Sequence, residues 1–589
     1  MAEPIRIANC SGFFGDRLSG AREMVEGGPI DVLTGDWLAE LTMLILSRIR
    51  AKQPGGGFAS TFVTQMEQVM GTCVDRGIKV VSNAGGLDPA GCADALDDVA
   101  GRLGLSPVIA YVDGDDLMPR LDELASSGSL EPFVDGGDLG EIGRSLTANA
   151  YLGCWGIVEA LQRGADIVVT GRVTDAAVTC GPAAWHHGWA RHDWDALAGA
   201  VVAGHVIECS AQATGGNYSF FTEVDGIERL GFPWAEVAAD GSAVIGKHDD
   251  TGGEVSIGTV TSQLLYEIGG PRYLGPDVTA RFDTIRLEQV GVDRVQISGT
   301  VGEPPPPTLK VAMNELGGHR NTIAVALTGL DIEAKAAAAQ AAFWRACPYE
   351  PADFAAISSR VIRTDRDDPD SNEAATAQWR LTVKDPDERK VGRAFSNAMI
   401  ETALASIPGF YGLSGGPSAA SPFGVYRPAR VAAELVPQYV HVGGVTVQVE
   451  SAVDGSGYRE DERPGDPPPA AGAADTGETE TVSRPLGAVI GARSGDKGGD
   501  ANLGVFARSA EAYEWMAGFL TAERLQSLLP ETAELAVDRH LLPNLWSINF
   551  VVHDLLEEGV AASTRIDGQA KSLGEWLRAR VVEVPAALL

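Results

Sequence analysis

The sequence predicts an α/β protein: a large N-terminal domain on a mostly parallel sheet with flanking helices, then a small α+β domain. Three observations carry this. The first 230 or so residues repeat one pattern, in which a short β-branched run ends in Gly, Asn, Asp or Arg and a helical stretch follows. Short apolar strands alternating with helices mark parallel βαβ units covered on both faces. From Arg459 to Thr481 no large apolar residue occurs, and Pro464, Pro467, Pro468 and Pro469 fall inside that stretch. Such a segment buries too little surface to offset its ordering entropy, so it reads as a flexible linker. Beyond it, apolar patterning resumes in a different order, and a chain of 589 residues is too long for one core.

Ile5–Ala8 leads into Asn9 and a Gly-containing loop through Arg17, and Ile30–Leu33 leads into Thr34-Gly-Asp36-Trp37 and an amphipathic helix through Ile49. Ile78–Val81 leads into Ser82-Asn83-Ala-Gly85-Gly86, where Asp88 is placed to cap a helix with Pro89 at its first position. Val108–Val112 leads into Asp113-Gly-Asp115-Asp116; Ile167–Val169 leads into Thr170-Gly171-Arg172, with Thr174 and Asp175 as caps of the next helix. Alternating segments Val255–Gln263 and Thr284–Ser298 read as antiparallel strands, and Ile332–Ala346 as a helix. The boundaries are a core domain at 1–453 with a sub-boundary near 255–330, a linker at 454–484, and a tail domain at 485–589. In the tail, strands Leu486–Ala492 and Asn502–Ala507, helix Ala510–Leu529, strand Trp546–His553 and helix Ser572–Val581 give a ferredoxin-like outline.

Composition narrows the partners. With 46 basic and 80 acidic side chains the formal charge is −34, which repels nucleic-acid phosphates and anionic lipid, so neither nucleic acid nor membrane is expected as a partner. The start, Met-Ala-Glu-Pro-Ile-Arg-Ile, has no basic and apolar leader pattern, and the apolar run Leu41–Leu46 is far short of the roughly 20 residues of a membrane helix. Seven scattered cysteines without a CxxC pair suit reduced thiols. The expectation is a cytoplasmic protein, with homo-oligomerisation usual for a metabolic protein of this size.

In a parallel sheet, helix N-termini gather at the carboxyl ends of the strands and favour an anionic ligand there. That edge would collect Asn9, Asp16, Arg17, Thr34, Asp36, Trp37, Asn83, Gly85, Gly86, Asp113, Asp115, Thr170, Gly171, Arg172 and Asp175. Most of these are also ordinary turn and cap residues. Arg172 stands apart, because turn chemistry does not call for arginine. Asp36, Asp115 and Asp175 are candidate acids or bases. His205 and Glu208, three apart, share a face if helical, and Gly215-Gly216-Asn217 follows them. The bland reading of His205 is a satisfied core histidine. Gly412-Leu-Ser414-Gly415-Gly416 formally matches G-x-S-x-G, but flanking prolines favour a glycine loop against a ligand over a hydrolase elbow. In the tail, Ser494-Gly-Asp496-Lys497-Gly-Gly is either an anion-binding nest or a tight hairpin with solvated charges. No sequence pattern requires a cofactor, and the aspartates are compatible with a divalent ion.

Thr34-Gly-Asp-Trp-Leu-Ala-Glu40, Ser82–Gly86, Gly164–Arg172 and Ala203–Glu208 resemble the acyclic terpene utilisation (AtuA-like) family, and Ser494–Gly499 with Pro543-Asn544-Leu545 resembles its ferredoxin-like tail domain. The resemblance covers nearly the whole chain except the linker. It implies a place in bacterial breakdown of terpenoids such as citronellol and geraniol, which proceeds through CoA thioesters, with coenzyme A as part of the substrate. It carries no residue-by-residue mechanism. The leading expectation is an acyl-CoA lyase or hydratase acting on a thioester or its acid. The alternatives are a non-catalytic acyl-CoA-binding or scaffold partner, and a serine hydrolase using Ser414.

Overall fold

The computed structural model describes residues 3–53, 55–134, 137–413, 416–453, 455–459 and 480–589. The chain forms two compact units: Met1–Asn314 with Tyr426–Val560 and Asp567–Leu589, and Glu315–Val425 with Ala561–Ile566.

The first unit is built on an eleven-stranded sheet. At its centre lie β1 (Ile5–Asn9), β2 (Val32–Gly35), β3 (Lys79–Ser82), β4 (Ile109–Asp113) and β5 (Ile167–Thr170), in the order β1-β2-β3-β5-β4 and all parallel. These are the five strands expected from the sequence, each within two residues of its expected start. Successive side chains point to opposite faces, so Ile7, Val32, Val81 and Val168 enter one core and Ala8, Leu33, Val80 and Val169 the other. Helices cover both faces: Ser60–Arg76 and Pro89–Leu103 on the second core, Trp155–Gln162 and Trp194–Ile207 on the first. The cap at Asp88 forms as expected, its carboxylate accepting from Gly91 N at 2.9 Å.

The expectation of a mostly parallel sheet does not hold. Pro233–Val237, Ala243–Lys247, Arg294–Ser298 and Arg286–Gly291 extend the β1 edge antiparallel, and Gln438–Val442 with Val445–Val449 extend the β4 edge likewise. Buried central strands advertise themselves by continuous apolar runs, whereas flanking hairpins need only short turns and leave no crossover helix to read. Val255–Gln263 is also not a strand. Ser256 accepts from Thr259 N and closes a capping box, and Ile257–Leu264 is a helix. Thr174 and Asp175 do not cap the helix Ala177–His187 through their side chains; Asp175 is held by Arg172 instead.

The tail sheet belongs to the same unit. It orders Ile490–Lys497, Asp500–Ala507, Ser547–Val552 and Val537–Leu542, every pair antiparallel. The strand Val537–Leu542 was not expected, and the single long helix is two, Ala510–Phe519 and Ala522–Leu528, each started by its own hydroxyl cap at Ser509 or Thr521. Thr481–Pro485, at the end of the expected linker, is a strand paired with Val581–Pro585.

In the second unit, strand Thr376–Asp385 pairs antiparallel with Ala356–Ile362 and with residues 319–328. Helices Ile332–Ala346 and Arg393–Glu401 pack on it around Phe343, Trp379 and Phe395. Gly416 lies in this unit; Ser414 and Gly415 lie outside the described residues.

Candidate functional site

The carboxyl ends of the parallel strands carry a buried polar cluster. As β2 ends, the chain turns through Asp36, whose carboxylate accepts from Asn83 Nδ2 at 2.5 Å and from Leu38 N at 2.9 Å. Asn83, at the end of β3, also accepts from Trp37 N at 2.8 Å, so it joins the two strand ends. Gly85 is fixed by proximity, since a Cβ there would lie 2.5 Å from the Thr170 carbonyl oxygen. A Cβ on Gly171 would lie 2.1 Å from the Asp115 carboxylate.

Arg172 follows β5 and is 2% exposed. Its Nη1 donates to Asp175 at 2.7 Å, and its guanidinium stacks 4.1 Å over the Tyr151 ring. Its backbone N–H donates to Asp115, which also receives Asn149 Nδ2 at 2.7 Å. Burial works against the Arg172 charge, but Asp175, Tyr151 and Asp36 outweigh it and keep the guanidinium protonated. Its buried Nε–H has no hydrogen-bond acceptor among the described residues, and neither Thr34 Oγ1 nor Glu208 Oε2 has a partner there.

Helix Trp194–Ile207 delivers the acid/base pair. His205 Nδ1 lies 3.1 Å from Glu208 Oε1, and both residues are buried, with the imidazole against Tyr273 and Phe282. Burial pushes His205 down to about 4, so the ring is neutral near pH 7. Burial, Asp175 and Glu267 push Glu208 up, and burial with Asp175 pushes Asp36 up. Burial also lifts Asp115 to about 7. The site therefore offers carboxyls whose burial favours the protonated form, a neutral imidazole as acceptor, and one fixed guanidinium charge.

A second wall was not visible in the sequence. Lys310 pairs with Glu40 at 2.9 Å, and its ammonium lies 5.0 Å from the Tyr151 ring and 5.5 Å from the Tyr426 ring. These residues meet from positions hundreds apart in the chain, beyond any local spacing rule. Glu40 was part of a quoted motif, the one signal that could have found it.

The tail closes this wall. Lys571 donates to the Tyr266 hydroxyl and lies 3.4 Å from both Glu267 and Asp496. Glu267 sits at φ 59°, a left-handed conformation that costs a non-glycine residue about 1 kcal/mol or more. Asn502 of the tail receives its backbone N–H at 2.7 Å and holds that turn. Asn549 donates to the carbonyls of Ile268 and Gly269, and Arg493 stacks 4.1 Å over Tyr266. Ser494 to Lys497 is strand rather than nest: Lys497 pairs with Asp500 across the two-residue turn Gly498-Gly499, with Gly498 at φ 64°.

Other expected site residues have structural duties. Asn9 donates to the Glu208 carbonyl at 3.1 Å, and Trp37 packs edge-on against Phe62. Arg17 is taken up by Glu23 and the Leu230 carbonyl and stacks on Phe232. Thr170 Oγ1 donates to the Gly171 carbonyl, and Ser494 Oγ accepts from Gly574 N. Gly86 and Gly215 supply turns at φ 55° and 114°, and Gly216 and Asn217 continue the second turn, with Asn217 exposed. Among the described residues no group of three or more His, Cys, Asp or Glu has the arrangement to hold a metal ion.

Fold and site together define an α/β protein with a buried arginine-and-acid cluster under a docked α+β tail. The chain belongs to the acyclic terpene utilisation family: residues 5–442 match the acyclic terpene utilisation family protein AtuA, and residues 484–583 match the AtuA ferredoxin-like domain. No curated protein and no solved structure is significantly similar to it. No helix among the described residues is long and apolar enough to cross a membrane.

Proposed function

We propose that the chain is an enzyme acting on a branched acyl-CoA or the corresponding acid, by a lyase or hydratase step. One observation carries the reading. A guanidinium kept charged in a buried site, with an Nε–H open among the described residues, stands beside two carboxyls pushed toward the protonated form by burial and one imidazole held neutral.

Such a step adds or removes a proton at the carbon next to a carbonyl while a group leaves or joins at the next carbon. Arg172 would stabilise the negative oxygen that develops on the carbonyl or hold a carboxylate. Glu208 or Asp36, each raised by burial, would donate to the departing group, and neutral His205 would accept the proton from carbon. The family's association with acyclic terpene utilisation supports a terpene-derived substrate.

The test is turnover. Purified protein is incubated with branched enoyl- and hydroxyacyl-CoA thioesters, including 3-hydroxy-3-methylglutaryl and geranyl-derived ones, and products are read by mass spectrometry. Turnover should fall about a hundredfold or more in Arg172→Ala. Absence of turnover by the wild type, or equal rates in the variant, defeats the reading.

A further inference from the structure

Three cations stand along the site, spaced by two aromatic rings. Arg172 stacks on one face of Tyr151, and Lys310 lies 5.0 Å from the same ring. Lys310 also lies 5.5 Å from Tyr426, whose ring is 3.4 Å from a Cβ built on Gly498, the neighbour of Lys497. Each of the first two has its own carboxylate, Asp175 for Arg172 and Glu40 for Lys310. The nearby Glu267 and Asp496 are both taken by Lys571.

Lys497 has none. Among the described residues its ammonium donates one hydrogen bond, to the Glu267 carbonyl at 3.2 Å, and forms no ion pair. It remains open to water while lying within electrostatic reach of Lys310, Glu40, Glu267 and Asp500. In a chain of formal charge −34, carboxylates to pair it are abundant, yet among the described residues this ammonium has no carboxylate in ion-pair contact and has the cation Lys310 within electrostatic reach. The neighbouring Lys310 ammonium works against its charge, and a bound anion would offset that repulsion.

We propose that Lys497, carried in by the tail hairpin, forms with Lys310 a second anion-binding subsite, so that the ligand of this cluster is an organic dianion: one negative group goes to Arg172 and the other to Lys497. The inference rests on the reading above for the ligand's general class and adds its charge pattern. The second negative group is a carboxylate at the far end of the acid or a phosphate of coenzyme A; to the ammonium both present anionic oxygens.

Equilibrium binding tests this without any turnover, so failure of the lyase or hydratase assay leaves the result readable. Unbranched dicarboxylates from succinate to suberate, their half-methyl esters, and coenzyme A are titrated calorimetrically into the full chain, into Lys497→Gln and into Lys497→Arg. If the distal group is a carboxylate, at least one diacid binds the wild type about tenfold tighter than its half-ester, Lys497→Gln abolishes that preference, and Lys497→Arg restores it. If it is a phosphate, coenzyme A shows the tenfold dependence on residue 497 instead. Either pattern, with unchanged melting temperatures, supports the subsite. Binding of diacid and coenzyme A that is indifferent to Lys497→Gln, or absence of binding of either to the wild type, overturns it.

Discussion

Asp115 shows how a single buried carboxyl shapes this site. It accepts the backbone N–H of Arg172 and Nδ2 of Asn149 on the same oxygen, so its main duty is to fix where the guanidinium begins. Burial lifts it to about 7, against an ordinary value near 4. Between those limits the folded chain holds a proton that the unfolded chain has released, so its contribution to stability is lost as pH rises through the window. His205, lowered to about 4, works with the opposite sign: its contribution is lost as pH falls from about 6.5 toward 4. Asp115→Asn keeps the two accepted bonds on one oxygen and removes the titration. Calorimetric unfolding at pH 5, 6 and 7 should show the variant gaining on the wild type by roughly 1 kcal/mol per pH unit. A difference that does not move with pH would refute the assignment. At this scale Arg172 was legible because arginine is foreign to turns, and the His205–Glu208 pair because spacing of three on a helix implies contact. Tyr151, Lys310 and Tyr426 were not, since each is unremarkable among its sequence neighbours and meets the others only after folding.

The elements were read where burial forces a pattern and misread where a cap or a turn decides. The five central strands announce themselves by short runs rich in β-branched residues, and Ile332–Ala346 by its alanines. Val255–Gln263 alternates well enough to pass as a strand, yet the Ser256 capping box commits it to a helix, and that helix carries Tyr266 and Glu267 to the site. Ser494–Lys497 reads as loop because of its glycines, yet Gly495 serves close approach, since a Cβ there would meet the Tyr266 ring at 2.5 Å, and in the paired strand one on Gly504 would meet Leu265 at 2.4 Å. The hairpin therefore presses flat on the segment that bears Glu267. Asn549 anchors the same contact by donating to two main-chain carbonyls, at 3.2 and 3.1 Å, while accepting from Asn502 at 2.5 Å. Asn549→Ala leaves those carbonyls unpaired in a buried place, at a cost of about 2 kcal/mol. Thermal melting should record the loss, and hydrogen exchange should quicken locally over residues 265–270. Unchanged exchange there would mean that the hairpin does not hold the turn.

At the scale of the whole chain, the ferredoxin-like tail was legible from its own strand and helix order, but its docking was not, because contacts such as Asn544 with the Phe282 and Ile285 carbonyls leave no mark in either partner's sequence. The acidic composition was legible too, and it now sets a problem that the site must solve. A formal charge of −34 raises a repulsive barrier that any anionic ligand crosses before it meets Arg172 or Lys497. The barrier is long-ranged and lies in water, whereas the final contacts are short and partly desolvated. Added salt screens the first strongly and the second weakly, as the Debye length falls from about 30 Å at 0.01 M to about 8 Å at 0.15 M. The association rate of a dicarboxylate probe should therefore rise severalfold over that range while its dissociation rate changes little. This is the reverse of the salt response of an anion drawn in by a basic surface. Stopped-flow binding at a series of sodium chloride concentrations reads both rates directly. An association rate that falls with salt would show that the approach to the cluster is electropositive despite the acidic whole, and that the local cations, rather than the net charge, govern the encounter.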